Sequence, residues 1–120
     1  MRWDTDINKT YEAKVAGTKI KTQTVFMDLL VKANYTNHFT EFSEYFDFVL
    51  KQPKTNVIKL FNHRHKDIPN ASGSCLSALF IFKNYKYLLK IIEHYNYSQD
   101  ILDILVSDGS ERVIYGKRPF

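Results

Sequence analysis

Two twelve-residue stretches, 50 positions apart, set the tightest limit on what this chain can build. Thr24-Val-Phe-Met-Asp-Leu-Leu-Val-Lys-Ala-Asn34-Tyr35 lies without a gap on Ser74-Cys-Leu-Ser-Ala-Leu-Phe-Ile-Phe-Lys-Asn84-Tyr85. Each opens on a hydroxyl residue, the preferred kind of helix N-cap. Each then has an apolar third position, a leucine sixth, apolar seventh and eighth positions, and a closing Asn-Tyr. That spacing predicts one amphipathic helix per copy. A second apolar helix follows each, over Phe39–Leu50 and Tyr87–Tyr95, and a short Asp-Ile element precedes each, Asp6-Ile7-Asn8 and Asp67-Ile68-Pro69-Asn70.

The other segments fit the same helical plan. The second helix, over 38–51, has Phe39, Phe42, Tyr45, Phe46, Val49 and Leu50 on one broad stripe, Glu41, Glu44 and Asp47 on the polar side, and Pro53 as its stop. Thr55 to Asn62 reads as a shorter helix. Residues 62–73 are a connection punctuated by Pro69 and Gly73. Ser74 caps the helix through Phe82, and Ser98 caps a last one that Asp108-Gly109 ends. In the first 23 residues, Tyr11-Glu-Ala-Lys-Val15 alternates and Gly17 offers a turn, which fits a short hairpin or a loose arm. Arg112-Val-Ile-Tyr115 fits a short strand. The expected fold class is mainly α: one domain over 1–120, of about five helices, with room for a short β element at either end.

The repeated start resembles ankyrin repeats. Its carriers are a Thr or Ser opening the first helix, an Asn near that helix's end and a Leu/Ile-rich second helix, with Asp67-Ile68, Asn70 and Gly73-Ser74 similar to the ankyrin loop leading into its Thr-Pro-Leu-His start. Here that start reads Ser74-Cys75-Leu76-Ser77 and Thr24-Val25-Phe26-Met27, without the Pro or the His. The period also differs from the ankyrin value of about 33 residues. The resemblance is fullest over 67–95. It implies stacked helix pairs and a binding scaffold without chemistry of its own. Its partner-binding positions would be the approach to the second copy, Asp67, Asn70, Ala71 and Ser72, and the polar positions of the first helix, Ser77 and Lys83. A plain helical bundle uses the same amphipathic helices and stays open beside it.

Composition narrows the function classes. With 44% hydrophobic and 25% charged residues the chain can bury a core, so disorder is not expected. One cysteine, Cys75, excludes an internal disulfide framework and a multi-thiolate zinc site and suits a reducing compartment. No apolar run approaches the roughly 20 residues of a membrane span. The amino terminus, Met1 to Asp6, has no apolar run behind it, so no signal peptide is expected and a soluble cytoplasmic protein is. The net charge of +4 is spread evenly, with nine basic and seven acidic residues in 1–60 and eight and six in 61–120. A nucleic-acid binder would concentrate it.

The strongest enzymatic lead is His63-Arg64-His65-Lys66, whose two imidazoles beside two cations could serve acid–base chemistry on a phosphodiester. A polar interhelix loop explains the same residues. His94 sits where a helix dipole favours a cation, His38 lies near another helix end, and no metal-ligand spacing such as His-x-x-x-His occurs. Cys75 opens a helix, which would lower a thiol's pKa, but the helix is apolar and a buried core cysteine fits it. Glu41, Glu44 and Asp47 read as a solvated face. Among the tyrosines near the fifth helix, Tyr87 and Tyr95 suit the core, while Tyr85 and Tyr97 are freer to bind.

No catalytic, cofactor or metal site is therefore expected. The leading expectation is a non-enzymatic module that binds, and inhibits or neutralises, one protein partner in the manner of an immunity protein or an anti-host factor. Its expected contacts are Arg64, His65, Lys66, Asp67, Asn70, Ser72, Ser77, Lys83 and Tyr85. The alternative is a small RNA-binding protein or metal-independent ribonuclease centred on His63 to Lys66. A homodimer is a third expectation, because the Phe-rich 39–50 stripe asks for a covering surface.

Overall fold

A computed structural model describes residues 3–15, 17–63 and 75–107. Among them are a two-stranded hairpin, β1 (Tyr11–Val15) and β2 (Thr18–Gln23), and six helices: α1 (Val25–Thr36), α2 (Thr40–Leu50), α3 (Lys54–Phe61), α4 (Cys75–Ile81), α5 (Tyr85–His94) and α6 (Gln99–Ser107). The protein is mainly α, and its six helices fall on the six segments read from the sequence. The proposed strand at Arg112–Tyr115 lies outside the described residues.

Local chemistry accounts for the boundaries. Gly17, at φ +82°, turns the antiparallel hairpin, which pairs Val15 with Thr18 and Lys14 with Lys19 and is irregular between Tyr11 and Ala13. Tyr11–Gln23 thus hold the hairpin, and residues 3–10 run as an arm against α2 and α3, Trp3 edge-on to Tyr45 at 4.9 Å and Asn8 donating to the Asn56 carbonyl at 3.0 Å. Thr24 caps α1 as expected, its Oγ1 accepting from the Met27 N–H at 3.2 Å. α1 ends at Asn37 in the left-handed region, with the Asn37 and His38 amides both returning to the Ala33 carbonyl. α4 ends the same way at Lys83 (φ +61°), where the Asn84 amide reaches the Leu79 carbonyl at 2.8 Å. Pro53 stands between α2 and α3, where its missing N–H costs nothing.

The helices form two three-membered units, α1–α2–α3 and α4–α5–α6, laid side by side so that each helix meets its counterpart. Thr24 and Cys75 touch at the start of α1 and α4 (Oγ1 to Sγ 3.9 Å), and Asn34 Nδ2 donates to Asn84 Oδ1 at 2.9 Å at their ends. The two helices are thus parallel. α2 meets α5 through a Ser43–Tyr87 hydroxyl hydrogen bond and an Asp47–Lys90 ion pair at 3.9 Å. α3 meets α6 through Lys54 and Asp100, 3.2 Å apart. Within each unit the first two helices form an antiparallel hairpin and the third folds against it.

The core fills the space between these layers. Phe26 meets Phe42 and Phe61 edge-on at 5.4 and 5.9 Å. Tyr87 reaches across from the second unit to Phe42 and Phe46, each at 5.0 Å. Such edge-to-face pairs contribute about 0.5–1.5 kcal/mol beyond the area they bury. The 39–50 stripe is thereby spent internally, since Phe42, Tyr45, Phe46 and Val49 are all buried. The homodimer argument built on that stripe loses its basis. No helix among the described residues is long and apolar enough to cross a membrane.

Candidate functional site

Of the expected contact residues, Arg64, His65, Lys66, Asp67, Asn70 and Ser72 lie outside the described residues, as does the side chain of Ser77 within α4. Lys83 and Tyr85 are described, and the fold brings them together. Lys83 is exposed at the turn between α4 and α5, and Tyr85 opens α5 with its ring 49% exposed, 6.2 Å from Phe80.

Between the tips of the two units these residues border a groove of about 230 Å³, lined by Phe39, Lys83, Asn84, Tyr85, Lys86 and Tyr87. Its floor is aromatic: Phe39, from the first unit's tip, lies nearly parallel to Tyr87 at 6.0 Å. Asn84 is held in place by the amide of Asn34. Lys86 extends its ammonium over the Tyr87 ring, 5.3 Å from the centroid. The lining holds two cations and no carboxylate. It can therefore take an acidic segment that also presents an apolar or aromatic side chain. Phe39 and Lys86 escaped sequence reasoning. Lys86 follows Lys83 by three residues across a helix start, a signal that was present, whereas Phe39 joins only through the packing of the two tips.

The remaining candidates resolve one by one. Cys75 is fully buried, and burial pushes its thiol up to about 12, the Thr24 hydroxyl pulling only weakly the other way. The helix start does not activate it; desolvation wins and the residue belongs to the core. His63, half-buried, ends the α3 segment and its carbonyl accepts from the Cys75 amide at 3.1 Å, which ties α3 to α4 across the connection. His94 stands edge-on to Tyr95 at 4.7 Å in the last turn of α5. Asp47 is solvated and pairs with Lys90, while Glu41 and Glu44 are exposed. Tyr87 is buried and Tyr95 half-buried, while Tyr85 and Tyr97 are exposed. Among the described residues no three His, Cys, Asp or Glu side chains gather as metal ligands.

A second groove, of about 400 Å³, runs beside the α1–α2 hairpin past Lys32, Thr36, His38 and Glu41, with Leu29, Ala33 and Phe42 at its base. Its rim mixes both charges and selects no ligand chemistry. Compared with protein-family models, curated proteins and solved structures, the chain matches none.

Proposed function

We propose that this chain is a protein-binding module without chemistry of its own, one that occupies and inhibits a partner protein. The groove between the unit tips takes an acidic segment of that partner. The carrying observation is the aromatic floor of Phe39 and Tyr87 bordered by Lys83, Tyr85 and Lys86 with no acid in the lining. Tyrosine and cations around a desolvated floor are the makings of a binding hot spot. The raised pKa of Cys75 counts against thiol catalysis. The kinship with ankyrin-type scaffolds implied by residues 67–95 is part of the same proposal.

The test is purification from the native host background, with and without RNase. One protein at near-equal stoichiometry that survives RNase is the expected result, and the double variant Lys83→Glu/Lys86→Glu should weaken its capture at least ten-fold. Its on-rate should fall with salt. Nucleic acid in the peak, lost at high salt, would instead favour the His63-Arg64-His65-Lys66 reading.

A further inference from the structure

The arm encloses a small cavity against the first unit, and its own short bonds fix one side of it. The Asp6 amide donates to Asp4 Oδ1 at 2.9 Å, and the Asn8 amide to Asp6 Oδ1 at 3.2 Å. Both are turns in which a carboxylate accepts from the backbone two residues on, so each carboxylate has a set place on the arm. Buried Ile7 and the Asn8–Asn56 bond seat the arm on the helices. The cavity measures about 100 Å³. Trp3, Tyr11, Tyr45 and Val25 line it from the arm, β1, α2 and α1, and Asp4, Asp6 and Lys9 line it from the exposed part of the arm.

Trp3 and Tyr45 make a corner in this lining. Their rings meet at 72° with centroids 4.9 Å apart, and the inner corner of such a T is bounded by a face of each ring. Aromatic faces are negative and attract cations. The charges nearby act in the same sense. The Tyr45 hydroxyl is held well above its ordinary pKa, by burial first and then by the negative charge of Asp4, with Asp6 adding to it, so both carboxylates are felt inside the corner. Lys9 brings its ammonium to 3.7 Å from Asp4, but both partners are more than half exposed. Such a surface pair is too weak to keep out a better-fitting cation.

We propose that this cavity binds a quaternary ammonium head group of the choline type. Lysine's ammonium is a compact, strongly hydrated charge that must keep its hydrogen bonds. A quaternary ammonium gives up little water and asks for none, which suits walls of aromatic rings and a valine. The cavity is less than half the volume of the groove between the unit tips, so it takes a head group and not a segment of chain. The two sites share no residue, and this inference does not rest on the function proposed for the groove.

Titration of the full chain with choline, followed by calorimetry and by the emission of Trp3, tests it. Dimethylbutanol, in which carbon replaces the charged nitrogen, is the control for shape. The expected result is saturable binding that perturbs Trp3, about ten-fold tighter for choline than for dimethylbutanol. The double variant Asp4→Asn/Asp6→Asn keeps the oxygens that accept the two turn bonds and should weaken choline binding several-fold. Lys9→Gln should tighten it by removing the resident competitor, which a merely structural role for Lys9 would not do. Lys86→Gln, in the other groove, should leave it unchanged. Binding that leaves Trp3 unmoved overturns the proposal, as does equal affinity for the neutral control. So does an inert wild-type chain; choline binding gained only in Arg2→Ala would then assign the cavity to the chain's own guanidinium.

Discussion

The two units share a plan but not a surface. At matched positions of their first helices, the first unit has Val25 and Asp28 where the second has Cys75 and Ala78. Asp28 is half-buried, reaching Lys32 at 3.4 Å and the Tyr11 hydroxyl of the arm. Ala78 is buried, on the same side of α4 as the Cys75 that touches Thr24. One position thus carries a charge where a polar arm covers it and a methyl group where another unit does. Asn34 and Asn84 diverge likewise. α4 is shorter than α1, so Asn34 lies within a helix and Asn84 beyond one, and the pair meets across the join. Position in a stack, more than helix type, decides what each copy of a repeat keeps.

Exchanging the two environments should give the largest effect. Ala78→Asp strands a carboxylate between the units and should cost about 4–5 kcal/mol in urea unfolding. Its mirror, Asp28→Ala, should change stability by less than about 1 kcal/mol. Equal effects would mean that the two faces are not distinct. Next comes the join itself. Tyr87→Ala removes the ring that meets Phe39, Phe42 and Phe46 and should cost about 3–4 kcal/mol. Loss confined to α4–α6 helicity by circular dichroism would show the first unit standing alone.

Alkali should distinguish the units chemically. The folded Cys75 thiol keeps its proton to about pH 12, whereas an unfolded one releases it near 9.0. Stability is therefore intact below pH 9 and falls above it, by about 1.4 kcal/mol per pH unit for this group. Cys75→Ala should flatten that share of the decline in Tm measured from pH 7 to 11. A modest effect is expected at Asn34→Ala, which removes the bonds to Asn84 and the Leu30 carbonyl and should cost about 1 kcal/mol by thermal unfolding.

The helices were legible because apolar residues recur at the helical period and the stops are chemically explicit, Thr24 before α1 and Pro53 after α2. The hairpin was legible as one of two options, with Gly17 at its turn. The repeat was legible over its first two helices but not its third. α3 and α6 share little residue pattern, and it is their packing, with the Lys54–Asp100 pair across it, that reveals them as counterparts. The candidate site was half legible. Lys83 and Tyr85 stand out as polar and aromatic residues at a helix junction. Phe39 looked like one more member of a stripe, because a stripe does not say which of its ends will floor a groove. The fate of Phe42 and Phe46 was equally hidden, since their cover, Tyr87, comes from 40 residues and more downstream.

Trp3 is the chain's single tryptophan, and it reports from one address. Packed at 4.9 Å from Tyr45, its indole senses the arm and the first unit. Fluorescence excited selectively at the indole is therefore a probe of the arm and its seat on α2. A fluorescence melt that runs ahead of the far-ultraviolet signal would record the arm lifting away; coincident curves would record one cooperative body.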